Sequence, residues 1–208
     1  MFDIDGTLIH SNDFDAECFI KAVYEVIGIR IDDNWSKYEH VTDKGILNEI
    51  INTHDLNKNN KTIHQEVKKC FVRNIAKYLE VKPAKEVTGA ASFLEKLGNM
   101  NNVSISIATG GWLESASLKL KSAGINITNI PIASSNDHYC RAEIMKIAER
   151  RAINNNAATS TYFGDGIWDK KACSKLGYNF ILVGNNASHS QRIVDFSSQN
   201  EAIEYIGL

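Results

Sequence analysis

Apolar residues recur at three- and four-residue steps through the first third of the chain and at shorter steps beyond it. Between residues 14 and 27, Ala16, Phe19, Ile20, Val23, Val26 and Ile27 fall on one helical face. Ile46, Leu47, Ile50 and Ile51 make a short stripe, and Ile63, Val67, Cys70, Phe71, Ile75, Tyr78 and Leu79 a longer one. No strand pattern stands between His10 and Val81, so about seventy residues are predicted to be helical only. Then the period changes. Val103, Ile105 and Ile107 alternate with Ser104 and Ser106, and short apolar segments follow near Ile130 to Ala133, Thr161 to Phe163 and Phe180 to Val183. Helical patterns begin between these strands near Trp112, Arg141 and Ile167. Repeated strand–helix units build a parallel sheet covered by helices on both faces, which makes the fold class α/β with an inserted all-helical segment. The boundaries that follow are a core of residues 1–11 and 85–208 and an insertion of residues 12–84. Val81 to Lys85, which includes Pro83, is the expected hinge of return. In an open parallel sheet the ligand site lies beyond the carboxyl ends of the strands, which are expected here at Asp3, Ala108, Ser134 and Phe163.

A length of 208 residues accommodates one large domain or one domain with an insertion. The 23 Lys and Arg nearly cancel the 25 Asp and Glu, so no strong field steers the chain onto nucleic acid or an acidic membrane. No apolar run approaches the roughly 20 residues that span a bilayer. Acidic Asp3 and Asp5 stand where a leader would carry a basic start and an apolar stretch, so secretion by a signal peptide is not expected. Cys18, Cys70, Cys140 and Cys173 are scattered, which points to a reduced, cytoplasmic protein. Six histidines show no paired metal-binding spacing. His10 is expected at the site entrance, where the chain leaves for the insertion. Only Met1 and Phe2 precede Asp3, so the first strand is either very short or lacks residues upstream.

Chemistry gathers at the predicted strand ends. Phe2-Asp3-Ile4-Asp5-Gly6-Thr7-Leu8 sets two carboxylates two residues apart before a permissive glycine, although Asp-Gly is also a common tight turn. Ser106-Ile107-Ala108-Thr109-Gly110-Gly111 ends a strand with a hydroxyl and opens a helix, where Thr109 suits an anion or a helix cap. Gly164-Asp165-Gly166-Ile167-Trp168-Asp169 puts two carboxylates four apart at a helix start, where both approach one cation or the first caps the helix.

FDIDGTL resembles the first motif of the haloacid dehalogenase superfamily, DxDGT, and Thr109 and GDGIWD resemble its second and fourth motifs. The resemblance implies a Rossmann-like core with a helical cap, in a layout like that of phosphoglycolate phosphatases. It implies Asp3 as the nucleophile that takes a phosphoryl group and Asp5 as the general acid and base. Thr109 and Gly110 would bind the phosphoryl group. Magnesium would be held by Asp3, Asp165, Asp169 and the backbone carbonyl of Asp5, with Asp169 bound directly or through water. The family's basic third-motif residue is a Lys. Here Arg141 stands 24 residues before Asp165 at the usual separation, and Lys146 is the runner-up. In the insertion, Thr42, Asp43 and Lys44 are expected to select substrate, although Thr42 equally suits a helix cap. The expected ligand is a small phosphorylated metabolite. A phosphosugar mutase of the same superfamily and a catalytically weak phospho-ligand-binding regulator remain open beside the phosphatase. No oligomeric state is implied.

Overall fold

The computed structural model describes residues 1–153 and 158–207. After the first motif the chain forms β1 (Ile9–His10) and three helices, α1 (Asn12–Ile27), α2 (Asp43–Thr53) and α3 (Asn60–Val81). It returns through β2 (Lys85–Glu86), which pairs antiparallel with β1, Ile9 opposite Glu86 and His10 opposite Lys85. Helices and strands then alternate: α4 (Ala90–Gly98), β3 (Ile107–Ala108), α5 (Leu113–Ser122), β4 (Ile132–Ala133), α6 (Arg141–Ile153) and β5 (Thr161–Gly164). They are followed by α7 (Ile167–Leu176), β6 (Asn179–Val183), β7 (Arg192–Ile193) and α8 (Gln199–Ile206).

β3 runs parallel to β4, and β5, β6 and β7 form a second parallel set. Phe2 joins the two through parallel bridges to Ile107 and Phe163, so the order is β4, β3, the Phe2 segment, β5, β6, β7. Side chains alternate across this sheet. Ile107, Phe163, Ile181 and Val183 enter one core with Phe2, Phe93 and Phe196, whereas Ala108, Tyr162 and Leu182 enter another with Ile144 and Met145. Phe2 stacks on Phe163 with ring centroids 4.7 Å apart, which fixes the first motif at the centre of the sheet.

The strand expected over Val103 to Ile107 is shorter than its alternation suggests. Pro131, just before β4, has no N–H to extend the ladder, so Val103 and Ile105 pack on the core outside any strand. The three insertion helices have a core of their own, with Phe19, Val23, Leu47, Ile51, Val67, Phe71 and Ile75. Trp112, at the start of α5, packs into it against Phe19 and Phe71. Among the described residues no helix is long and apolar enough to cross a membrane.

Candidate active site

Three neighbouring strand segments end at one rim, carrying Asp3, Thr109 and Asp165. The Asp3 N–H donates to the Phe163 carbonyl at 2.9 Å, and the Thr109 N–H to the Ala133 carbonyl at 3.0 Å. These ladder bonds set the direction of each side chain. Past Asp5 the chain reverses at Gly6, whose φ is +75° and whose missing side chain leaves room for the Asp165 carboxylate and the Asn12 amide. Any other residue would be strained there and would push into Asp165.

Carboxylate oxygens of Asp3, Asp165 and Asp169 lie within 4.8 Å of one another, and all three residues are buried. Asn12 and Asn186 donate their amides to Asp165 Oδ2 at 2.8 and 3.1 Å. Asp169 accepts the Gly166 N–H on one oxygen and pairs with Arg141 at 2.7 Å through the other. The same guanidinium stands 3.5 Å from Asp3. Burial, with help from the other carboxylates, raises the Asp3 carboxyl well above its ordinary range and outweighs the pull of Arg141. Burial and Asp169 raise Asp165 to about 6. Three buried oxygen donors facing one guanidinium leave negative charge uncompensated, and hard oxygen ligands of this kind fit a divalent cation such as magnesium.

Arg141 begins α6 and reaches back across the rim. Burial opposes its charge, but Asp169 and Asp3 raise its pKa and keep it a cation. Gly110 makes the approach possible, since a side chain there would strike the guanidinium. Nη2 also donates to the Val41 carbonyl of the insertion at 3.3 Å, and the buried Nε has no partner. Lys146 instead pairs with Glu143 at 2.8 Å on the surface, 45% exposed, so of the two candidate bases only Arg141 reaches the rim.

The carboxylate of Asp5 lies outside this acidic triad. Its Oδ1 accepts from Ser11 and from Lys119, which is fully buried and also pairs with Asp15 of α1. Its Oδ2 faces the space beside Gly111, near Asp43 and Thr109. Burial opposes the charge on Lys119, but Asp15 and Asp5 outweigh it and raise the pKa. Burial likewise raises Asp15, to about 6. Lys119 and Asp15 carried no motif in the sequence. One signal was present: Lys119 falls on the buried α5 stripe with Trp112, Ala116 and Leu120, where a lysine is out of place.

The insertion closes over the rim at the start of α2. Thr42 caps that helix, accepting the Gly45 N–H at 3.0 Å and donating to the Tyr139 carbonyl at 2.6 Å. Asp43 clasps the loop before α5: its N–H donates to the Gly110 carbonyl at 2.9 Å, and its Oδ2 accepts the Trp112 N–H at 2.7 Å. A cavity of about 340 Å³ results, lined by Asp3, Asp5, Thr42, Asp43, Thr109, Gly110, Arg141 and Asp165 among others. Lys44 does not line it; its N–H donates to the Ser135 hydroxyl at 2.9 Å. His10 is exposed and lines a separate groove on the other side of the first motif, so the structure does not bring it to the site entrance.

No curated protein matches the sequence. In fold, the chain is similar to a hydrolase from Pseudomonas syringae, at 18% identity and a TM-score of 0.72 over 97% of each chain. It is also similar to CbbY from Rhodobacter sphaeroides in complex with phosphate, at 15% identity and 0.69 over 94% of this chain and 93% of that one. A third likeness is to β-phosphoglucomutase from Clostridium difficile, at 17% identity and 0.69 over 99% and 96%. Residues 1–183 match the model of the haloacid dehalogenase-like hydrolases, a span that holds Asp3, Thr109, Arg141, Asp165 and Asp169. The chain therefore belongs to the haloacid dehalogenase-like hydrolase family.

Proposed function

We propose that the chain is a magnesium-dependent phosphatase that hydrolyses a small phosphomonoester through an aspartyl-phosphate on Asp3. The observation that carries this reading is Asp3 at the centre of the rim, between the Asp165–Asp169 pair and the Arg141 guanidinium. Asp3 and Asp165 would hold the magnesium, with Asp169, already committed to Arg141, reaching it through water. When bound, the ion draws charge from the phosphoryl oxygens and lets an anion approach the Asp3 carboxylate.

In the first step an Asp3 oxygen attacks phosphorus, and the bond from phosphorus to the alcohol oxygen breaks. Asp5 gives that oxygen its proton from Oδ2, the atom facing the cavity, while Oδ1 stays anchored on Lys119 and Ser11. In the second step water attacks phosphorus and passes a proton back to Asp5. The bond to Asp3 breaks and inorganic phosphate leaves. Arg141 and the Thr109 hydroxyl steady the oxygens on which charge builds. Asp3→Asn tests the scheme: phosphate release from a phosphomonoester panel with magnesium should fall at least about 10³-fold with an unchanged melting temperature. Turnover retained in that variant would remove Asp3 as nucleophile. The four cysteines are free, which supports a reducing, cytoplasmic compartment.

A further inference from the structure

The two ends of the cavity differ in charge. Arg141 is the only basic residue among the described residues that line it, and it is committed to the phosphoryl end through Asp169 and Asp3. Lys119 is fully buried and spent on Asp5 and Asp15, so it offers nothing to a ligand. At the other end, where the alcohol part of a phosphomonoester would lie, the insertion contributes Asp15 and Asp43 beside Phe19, Trp35 and Ile46. Asp43 is only 8% exposed and lines the cavity. Its Oδ2 takes the Trp112 N–H, and its Oδ1 makes no hydrogen bond among the described residues. Lys119 pairs with Asp5 and Asp15, and Asp43 has no ion pair among the described residues.

A second anionic group on the substrate would meet two carboxylates and no free cation. A positive group would meet the open oxygen of Asp43 with the Trp35 and Phe19 rings nearby, a combination that favours ammonium ions. We propose that the substrate is a phosphomonoester whose alcohol part carries an ammonium group and no second anion, and that Asp43 is the residue that reads it. The cavity, near the lower end of the usual range for ligand sites, limits that alcohol to a small metabolite. This inference rests on the phosphatase reading above.

Three probes of nearly equal size separate the possibilities: 2-aminoethyl phosphate, 2-hydroxyethyl phosphate and 2-phosphoglycolate. With magnesium, kcat/KM for the amine should exceed that for the hydroxyl compound at least about tenfold, with the carboxylate poorest. Asp43→Asn keeps an acceptor for the Trp112 N–H and should collapse the amine-to-hydroxyl ratio toward one. Because both rates come from one preparation, a loss of folded protein cancels from the ratio. Equal rates, or a preference for phosphoglycolate, overturn the inference while leaving the phosphatase reading intact. If no probe is turned over, calorimetry on the Asp3→Asn chain with magnesium decides: tighter binding of the amine supports the inference, and equal binding overturns it.

Discussion

Arg141 is largely buried and Lys119 fully so, and each faces two carboxylates, Asp3 with Asp169 in one case and Asp5 with Asp15 in the other. Arg141 lines the cavity, whereas Lys119 has no exposed surface at all. A guanidinium has five donors in a planar fork, so it can hold Asp169 and still turn an edge toward a ligand. An ammonium has three, and here two of them go to Asp5 and Asp15 inside the fold. The same pairing of charges therefore leaves a cation open to the cavity at one place and joins α1 to the first motif at the other.

The widest gap between them should appear in Arg141→Ala, with kcat/KM falling about 10²–10³-fold. Its melting temperature should also fall without magnesium and recover in part with it, because the freed carboxylates of Asp3 and Asp169 belong to the buried triad proposed to hold the cation. Lys119→Met comes next, leaving Asp5 and Asp15 facing each other unpaired at a cost of about 3–5 kcal/mol. Magnesium should not repair that loss, since neither side chain belongs to the triad; equal rescue of the two variants in thermal melts would erase the distinction.

A smaller effect concerns pH. Burial raises Asp165 and Asp15 to about 6 in the folded chain, so each holds its proton more tightly folded than unfolded. Their contribution to stability is complete below about pH 4 and is lost as pH rises through 6. The metal-free protein should lose roughly 3–8 °C of melting temperature over that window from these two groups. Magnesium should restore more at pH 7 than at pH 5, because protons compete with it for Asp165. In Asp165→Asn the magnesium effect should shrink while the part due to Asp15 persists; melts at several pH values measure both. The smallest effect belongs to Lys146→Ala, expected within about 0.5 kcal/mol of the parent in stability and unchanged in kcat/KM. A loss of activity there comparable with that of Arg141→Ala would reassign the basic residue.

Legibility in the sequence followed the same divide. Asp3, Thr109 and Asp165 stand beside glycines at the ends of apolar segments, and the sheet delivers them to one rim because parallel strands end together. The helices beginning at Leu113, Arg141 and Ile167 start within a residue of their expected positions. Several strands here have only two residues, too few for alternation to register, so β1, β2 and β7 left no pattern to read. Lys119 and Asp15 meet because α5 and α1 both pack against α3, a contact that no local spacing encodes. Asn12 and Asn186 are single polar residues brought to Asp165 from far along the chain.

The two-residue ladder between β1 and β2 also matters for the architecture as a whole. Because Ile9 sits opposite Glu86 and His10 opposite Lys85, the insertion leaves and re-enters through a doorway one strand spacing wide. A tight two-residue turn could bridge that gap and turn the ladder into a hairpin. The sheet beneath would keep its strand order, since no strand of it comes from inside the doorway. Such a joint permits helical segments to be exchanged while the strand ends that carry Asp3, Thr109 and Asp165 stay where they are.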